Sequence, residues 1–203
     1  MIKKIFFALV ISPVFVWMII HPKELFSEWI KIPEYSKTNI SSLLSPDKIM
    51  KVDTERWNAF GPRREEFISK VYYNKGTVLL DDFFSLTTYF SPRLYFQSGD
   101  GTNFSPNRVE PIAIPLFVFW IMGIVELIKN KKYKLFIAAF LFGIFAYFAG
   151  QRNFAFLFPV AGIYTWISIY GIELLKKIQT KNKVYVFLGL YGLYLFGRLF
   201  LLK

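Results

Sequence analysis

Asp81 and Asp82 form the one adjacent aspartate pair of the chain. Two such carboxylates can deprotonate or orient an acceptor hydroxyl, or hold a divalent cation, and they are the catalytic candidates. The same pair can also cap a helix and complement the dipole of its first turn. Phe83, Phe84, Leu86 and Tyr89 follow at helical spacing, so the pattern predicts that Asp81-Asp82 opens a helix. Asp100 stands between Gly99 and Gly101, the setting of a turn former. No other group with metal-ligand spacing accompanies these acids. Cysteine is absent, and the single His21 excludes a multi-histidine site. No metal or cofactor is expected, a divalent ion at Asp81-Asp82 being the alternative.

Guanidinium groups grip phosphate bidentately, which makes Arg63, Arg64, Arg93, Arg108 and Arg152 candidates for an anionic ligand. Arg63 and Arg64 have Glu65 and Glu66 beside them as local partners. Arg93 and Arg152 are therefore the lipid-phosphate-binding candidates, with snorkelling to headgroups as the alternative for Arg93. Three further ionisable residues, Glu126, Glu173 and Arg198, fall inside apolar runs. Each lies near a run's end, within reach of an interface, which argues against a proton or ion pathway.

These side chains must be positioned by a membrane protein. Hydrophobic residues make up 54% of the 203-residue chain and aromatic residues 20%, too much for an ordinary soluble domain. Apolar runs occupy Ile5–Ile20, Pro111–Ile128, Leu135–Ala149, Phe154–Leu175 and Val184–Leu202. About 20 helical residues cross a hydrocarbon core, so five spans are expected, the first and third borrowing flanking residues. The fold class is an all-α membrane protein with a small, mostly helical extracytoplasmic cap. Residues 1–20 form an uncleaved amino-terminal anchor, residues 21–110 the cap loop, and residues 111–203 a four-helix transmembrane region.

The net charge of +11 is unevenly placed. Lys3 and Lys4, then Lys129, Lys131, Lys132 and Lys134, then Lys176, Lys177, Lys181 and Lys183 occupy three short segments that contain no acid. The segment His21–Glu110, by contrast, has equal numbers of basic and acidic side chains. Alternate basic loops are a topology signal: the amino terminus faces the cytoplasm of a plasma or cytoplasmic membrane, and the long loop faces outward. The same distribution argues against nucleic-acid binding and names membrane lipids as the first partner.

Within the loop, Leu25, Phe26, Trp29 and Ile30 predict a short amphipathic helix over Lys23–Ile32. Tyr35–Ser45 reads as a polar connector, and Asn39-Ile40-Ser41 fits a glycosylation sequon. Ser45-Pro46-Asp47 starts a helix that Gly61-Pro62 ends. Pro62–Tyr73 reads as a second helix, closed by Asn74-Lys75-Gly76, and Thr77–Leu80 as a short strand. Phe90–Phe96 is expected against the membrane surface. Gln151-Arg152-Asn153 is a tight outer turn, and Gly143, Gly150, Gly162 and Gly171 offer close helix contacts.

Phe90, Ser91, Pro92, Leu94, Tyr95, Phe96, Gly99 and Asp100, followed by an apolar hairpin with Arg152 and Pro159, resemble the carboxyl-terminal half of C-type membrane glycosyltransferases. The similarity covers about Pro62–Leu175 and points to the protein O-mannosyltransferase and aminoarabinose-transferase-like branch. It implies a polyprenyl-phosphate-linked sugar as donor and transfer at the outer face. It also implies that the catalytic acidic pair belongs to an amino-terminal half, so a catalytic partner chain is expected and the chain alone is expected to be inactive. The family's usual His before the hairpin Arg is replaced here by Ala149-Gly150-Gln151. The alternative function is a non-catalytic membrane scaffold, or a subunit that binds lipid or a partner.

Overall fold

A computed structural model describes residues 12–106, 109–178, 189, 192 and 193. The first part of the first apolar run, almost all of the fifth, Arg108 and the third basic segment beyond residue 178 lie outside the described residues. Those that are described form helices and turns only. The helices are α1 (Pro13–Ile20), α2 (Pro22–Ile30), α3 (Ile32–Ser41), α4 (Pro46–Phe60), α5 (Phe67–Tyr72), α6 (Lys75–Thr87), α7 (Leu116–Lys129), α8 (Lys134–Ala149) and α9 (Phe154–Ile178).

The all-helical expectation holds, and local chemistry explains most boundaries. The Ser45 hydroxyl accepts from the Lys48 amide, Pro46 occupies the first turn, and Gly61 ends α4 at a φ of 52°. Asn74 closes α5, its side chain donating to the Lys70 and Val71 carbonyls, and it also opens α6, accepting from the Gly76 amide while Thr77 accepts from the Asn74 amide. Three expectations are corrected. Thr77–Leu80 is consequently helix, not strand, and Asp81-Asp82 sits in the middle of α6 rather than at its start. The polar connector is largely α3, because Pro33 and Glu34 fill its first turn and Tyr35 packs on Phe156. Tertiary contact outweighs polar composition there.

The core is the contact of α9 with α7, joined by α8. A Cβ at Gly123 would lie 2.2 Å from the Ile167 carbonyl oxygen, and one at Gly171 would lie 1.9 Å from that of Phe119. The two helices therefore touch backbone to backbone, as small residues allow. Gly171 was legible as a contact glycine, whereas Gly123 was not. Gly143 receives the ring of Phe90, and Gly150 that of Phe156.

Within Phe90–Phe96, the segment expected against the membrane surface, three side chains turn into the protein. Leu94, Tyr95 and Phe96 are buried inside the protein. Tyr95 packs on Phe154 and Tyr164, Phe96 on Phe117 and Trp120. Polar ends of the rings are matched in the same place. Tyr164 donates to the Phe90 carbonyl at 2.7 Å, Tyr95 to that of Tyr89 at 2.6 Å. Burying these large rings against one another stabilises the fold more than leaving them at an interface.

Helix α9 contains Phe154–Leu174, 21 residues apolar enough to cross a membrane. Helices α7 and α8 pass the same test only together, bent by 117° at their break. α8 is apolar all round, and Ile137, Phe140, Leu141 and Phe145 stand exposed on it.

Candidate functional site

The turn between α8 and α9, residues 150–153, is where the cap and the long apolar helices meet. A helix end leaves backbone groups without partners, and here two ends adjoin. Three cap side chains supply partners. Asn39 of α3 shares its amide hydrogens among the carbonyls of Tyr147 at 3.0 Å, Phe148 at 3.3 Å and Gly150 at 2.7 Å. Asp100 accepts from the Phe154 amide at 2.6 Å, placing a carboxylate on the amino terminus of α9. Trp29 of α2 donates its indole N–H to the Ala155 carbonyl at 2.8 Å.

Asp100 is itself fixed by its own turn, its other oxygen accepting from the Thr102 amide at 3.0 Å and hydroxyl at 2.7 Å. Gly99, at a φ of 60°, sets the loop so that the carboxylate points at α9. Burial raises the Asp100 pKa above the ordinary carboxylate value, against the lowering effect of the Thr102 and Phe154 hydrogen bonds. The expected turn former is thus also a remote helix cap. Asn39, read as a sequon, spends its side-chain nitrogen on three carbonyls.

Asp82 and Asp81 separate on α6. Asp82 is buried and meets Lys48 of α4 at 2.5 Å, with the Tyr147 hydroxyl at 3.5 Å from the same oxygen. Its second oxygen is buried without a hydrogen-bond partner. Asp81 is exposed and does not share this environment. The pair therefore does not converge on one metal or one acceptor, and among the described residues no group of three or more His, Cys, Asp or Glu could hold a metal ion. Asp82 joins α4 to α6 and bears on α8, a structural duty for a partly buried ion pair.

Arg152 is exposed on the clamped turn, close enough to Tyr89 and Tyr95 for its charge to favour their ionised forms. Burial and the neighbouring Tyr147 prevail at Tyr89, pushing its hydroxyl up to about 12. The rings of Tyr89 and Tyr147 meet edge to face at 5.4 Å. Asp82 and Arg152 thus flank one tyrosine pair, a juxtaposition that their separation in sequence conceals.

Arg93 lies elsewhere, at a cleft of about 310 Å³ lined by Pro92, Phe96, Gln97, Ile114 and Phe117. The cleft is apolar apart from Arg93 and Gln97, and it contains neither Asp82 nor Arg152. Arg63 and Arg64 are exposed beside Glu66 and Glu65, at 3.9 and 3.6 Å, as their local alternative required. Arg64 also covers the Trp57 ring at 4.9 Å.

No family model, curated protein or solved structure matches the chain.

Proposed function

We propose that the chain is an integral membrane protein of five spans whose outer face holds the phosphate of a polyprenyl-linked sugar without transferring the sugar alone. The observation that carries this reading is the Arg93 cleft. An apolar groove with a guanidinium at its rim suits a phosphate attached to a prenyl chain, because one end needs charge and the other needs burial. Arg152, exposed on a turn whose flanks are clamped from three sides, is a second cation on the cap side. The exposed apolar side chains of α8 and the length of α9 support a place in the bilayer.

The carboxylates support the absence of transfer. Sugar transfer needs a carboxylate free to orient an acceptor beside the donor. Asp82 is committed to Lys48 and Tyr147, and Asp81 does not line the Arg93 cleft. A partner chain would supply that group. A non-catalytic scaffold is the second reading, favoured by exposed Phe67, Tyr72, Phe83 and Phe84 on the cap, which suit a protein or lipid contact.

The test uses purified full chain with labelled polyprenyl-phosphate sugar. Donor retention weakened by Arg93→Ala, and less by Arg152→Ala, with no turnover, is the expected result. Turnover that Asp81→Asn or Asp82→Asn abolishes would make the chain an enzyme by itself. Neither retention nor turnover would leave the scaffold.

A further inference from the structure

The opposite end of the α7–α8–α9 unit has a different chemistry. Residues 130–133 connect α7 to α8, and beside them α9 contributes Trp166 and Tyr170. Together Leu127, Leu135, Trp166 and Tyr170 wall a notch of about 470 Å³, with Lys131, Lys132 and Lys134 around it. None of the lining residues is acidic. Glu126, the nearest carboxylate along the chain, accepts from the Asn130 side chain at 2.9 Å. Lys132 rests over the Tyr170 ring, 5.7 Å from its centre.

The backbone adds an independent observation. The Lys132 amide donates to the Leu127 carbonyl and the Lys131 amide to that of Ile128. This is a helix end that places Lys131 in the left-handed region, at a φ of 55°. Glycine or asparagine ordinarily fills that position, and a lysine there is strained. A lysine held at such a position marks its charge as more useful than the easier turn.

We propose that this notch holds the phosphate headgroup of an anionic membrane lipid, with its acyl chains along Leu127, Leu135 and Trp166. Three ammonium groups complement the phosphate, and the aromatic and leucine wall complements the lipid's glycerol and first methylenes. An apolar wall with a wholly cationic rim favours a lipid over a free anion. The proposal rests on the membrane reading above, and it concerns the end of the unit remote from the clamped turn.

The experiment measures binding of phosphatidylglycerol and of phosphatidylcholine with identical chains to detergent-purified full protein, counted by native mass spectrometry. Preferential retention of phosphatidylglycerol is expected, reduced roughly fivefold for each lysine removed. Lys131→Gly is the decisive variant, since it relaxes the backbone while deleting a charge, so loss of lipid with an unchanged or higher melting temperature supports the site. Equal retention of the two lipids would overturn the proposal. So would a preference unchanged in both Lys131→Gly and Lys132→Ala/Lys134→Ala, or displacement by millimolar inorganic phosphate. Detergent binding does not depend on which side each turn faces, so failure here is distinct from failure of the topology.

Discussion

The two turns that flank α8 solve the problem of exposed helix ends in opposite ways. At residues 150–153 the protein itself supplies the partners: an amide from Asn39, a carboxylate from Asp100 and an indole from Trp29. At residues 130–133 the ends carry lysines and face a notch without an acid. The first turn is built to be covered by the cap. The second leaves its charges for something outside the chain. The proposed membrane placement, with an anionic leaflet at one side and the folded cap at the other, would account for both.

The largest expected effect at the clamped turn is that of Asp100→Ala. It leaves the Phe154 amide without its acceptor and removes a carboxylate from the start of α9, at a cost of roughly 2–3 kcal/mol. Thermal unfolding in detergent should show the loss, and Asp100→Asn, which retains one acceptor oxygen, should lose less. Asn39→Ala comes next, at about 1–2 kcal/mol, because carbonyls at a helix end recover part of their hydration. Both changes should loosen residues 147–155 in hydrogen exchange and leave the basic turn as it was. Equal loosening of residues 130–133 would erase the contrast between the turns.

Lys131→Gly should act in the opposite direction, holding or raising stability by up to about 1 kcal/mol as the left-handed strain is relieved. A substantial loss in melting temperature would mean that the lysine, not the turn, maintains the local fold.

The smallest effect concerns pH. Burial tends to raise the Glu28 pKa, but hydrogen bonds from Lys31 and Tyr35 prevail and hold it below the ordinary carboxylate value. A lowered folded-state pKa means that the stability contributed by ionised Glu28 is complete above the unfolded value and is lost as the pH falls through the folded one. Glu28→Gln should therefore lower stability slightly at neutral pH, change little at pH values below the folded-state pKa, and so flatten the acid limb of the stability profile.

What could be read from the sequence were features whose cause is local. Ser45-Pro46 and Gly61-Pro62 mark helix ends by their own dihedral preferences, and Gln151–Asn153 is too short to be anything but a turn. The misplaced elements are those whose cause is distant. Asn39 in a polar stretch resembles a connector until the carbonyls of α8 arrive beside it. Asn74 ends one helix and starts the next, and its second role depends on the capping box with Thr77. Asp82 sits mid-helix because Lys48 neutralises it across the cap. Of the candidate site residues, neither the pairing of Asp82 and Arg152 with the two tyrosines nor the cleft at Arg93 follows from spacing along the chain. Gly123 has no second glycine near it in sequence, and its counterpart, Gly171, stands on another helix.

The most direct test of the contrast between the turns is their sidedness. The chain has no cysteine, so single-cysteine variants are labelled without background. Glu65→Cys on the cap and Lys131→Cys at the basic turn are both at exposed positions. In intact cells producing the full chain, an impermeant maleimide should label Glu65→Cys at once and Lys131→Cys only after the membrane is opened. Labelling of both in intact cells, or of Lys131→Cys alone, would contradict the account.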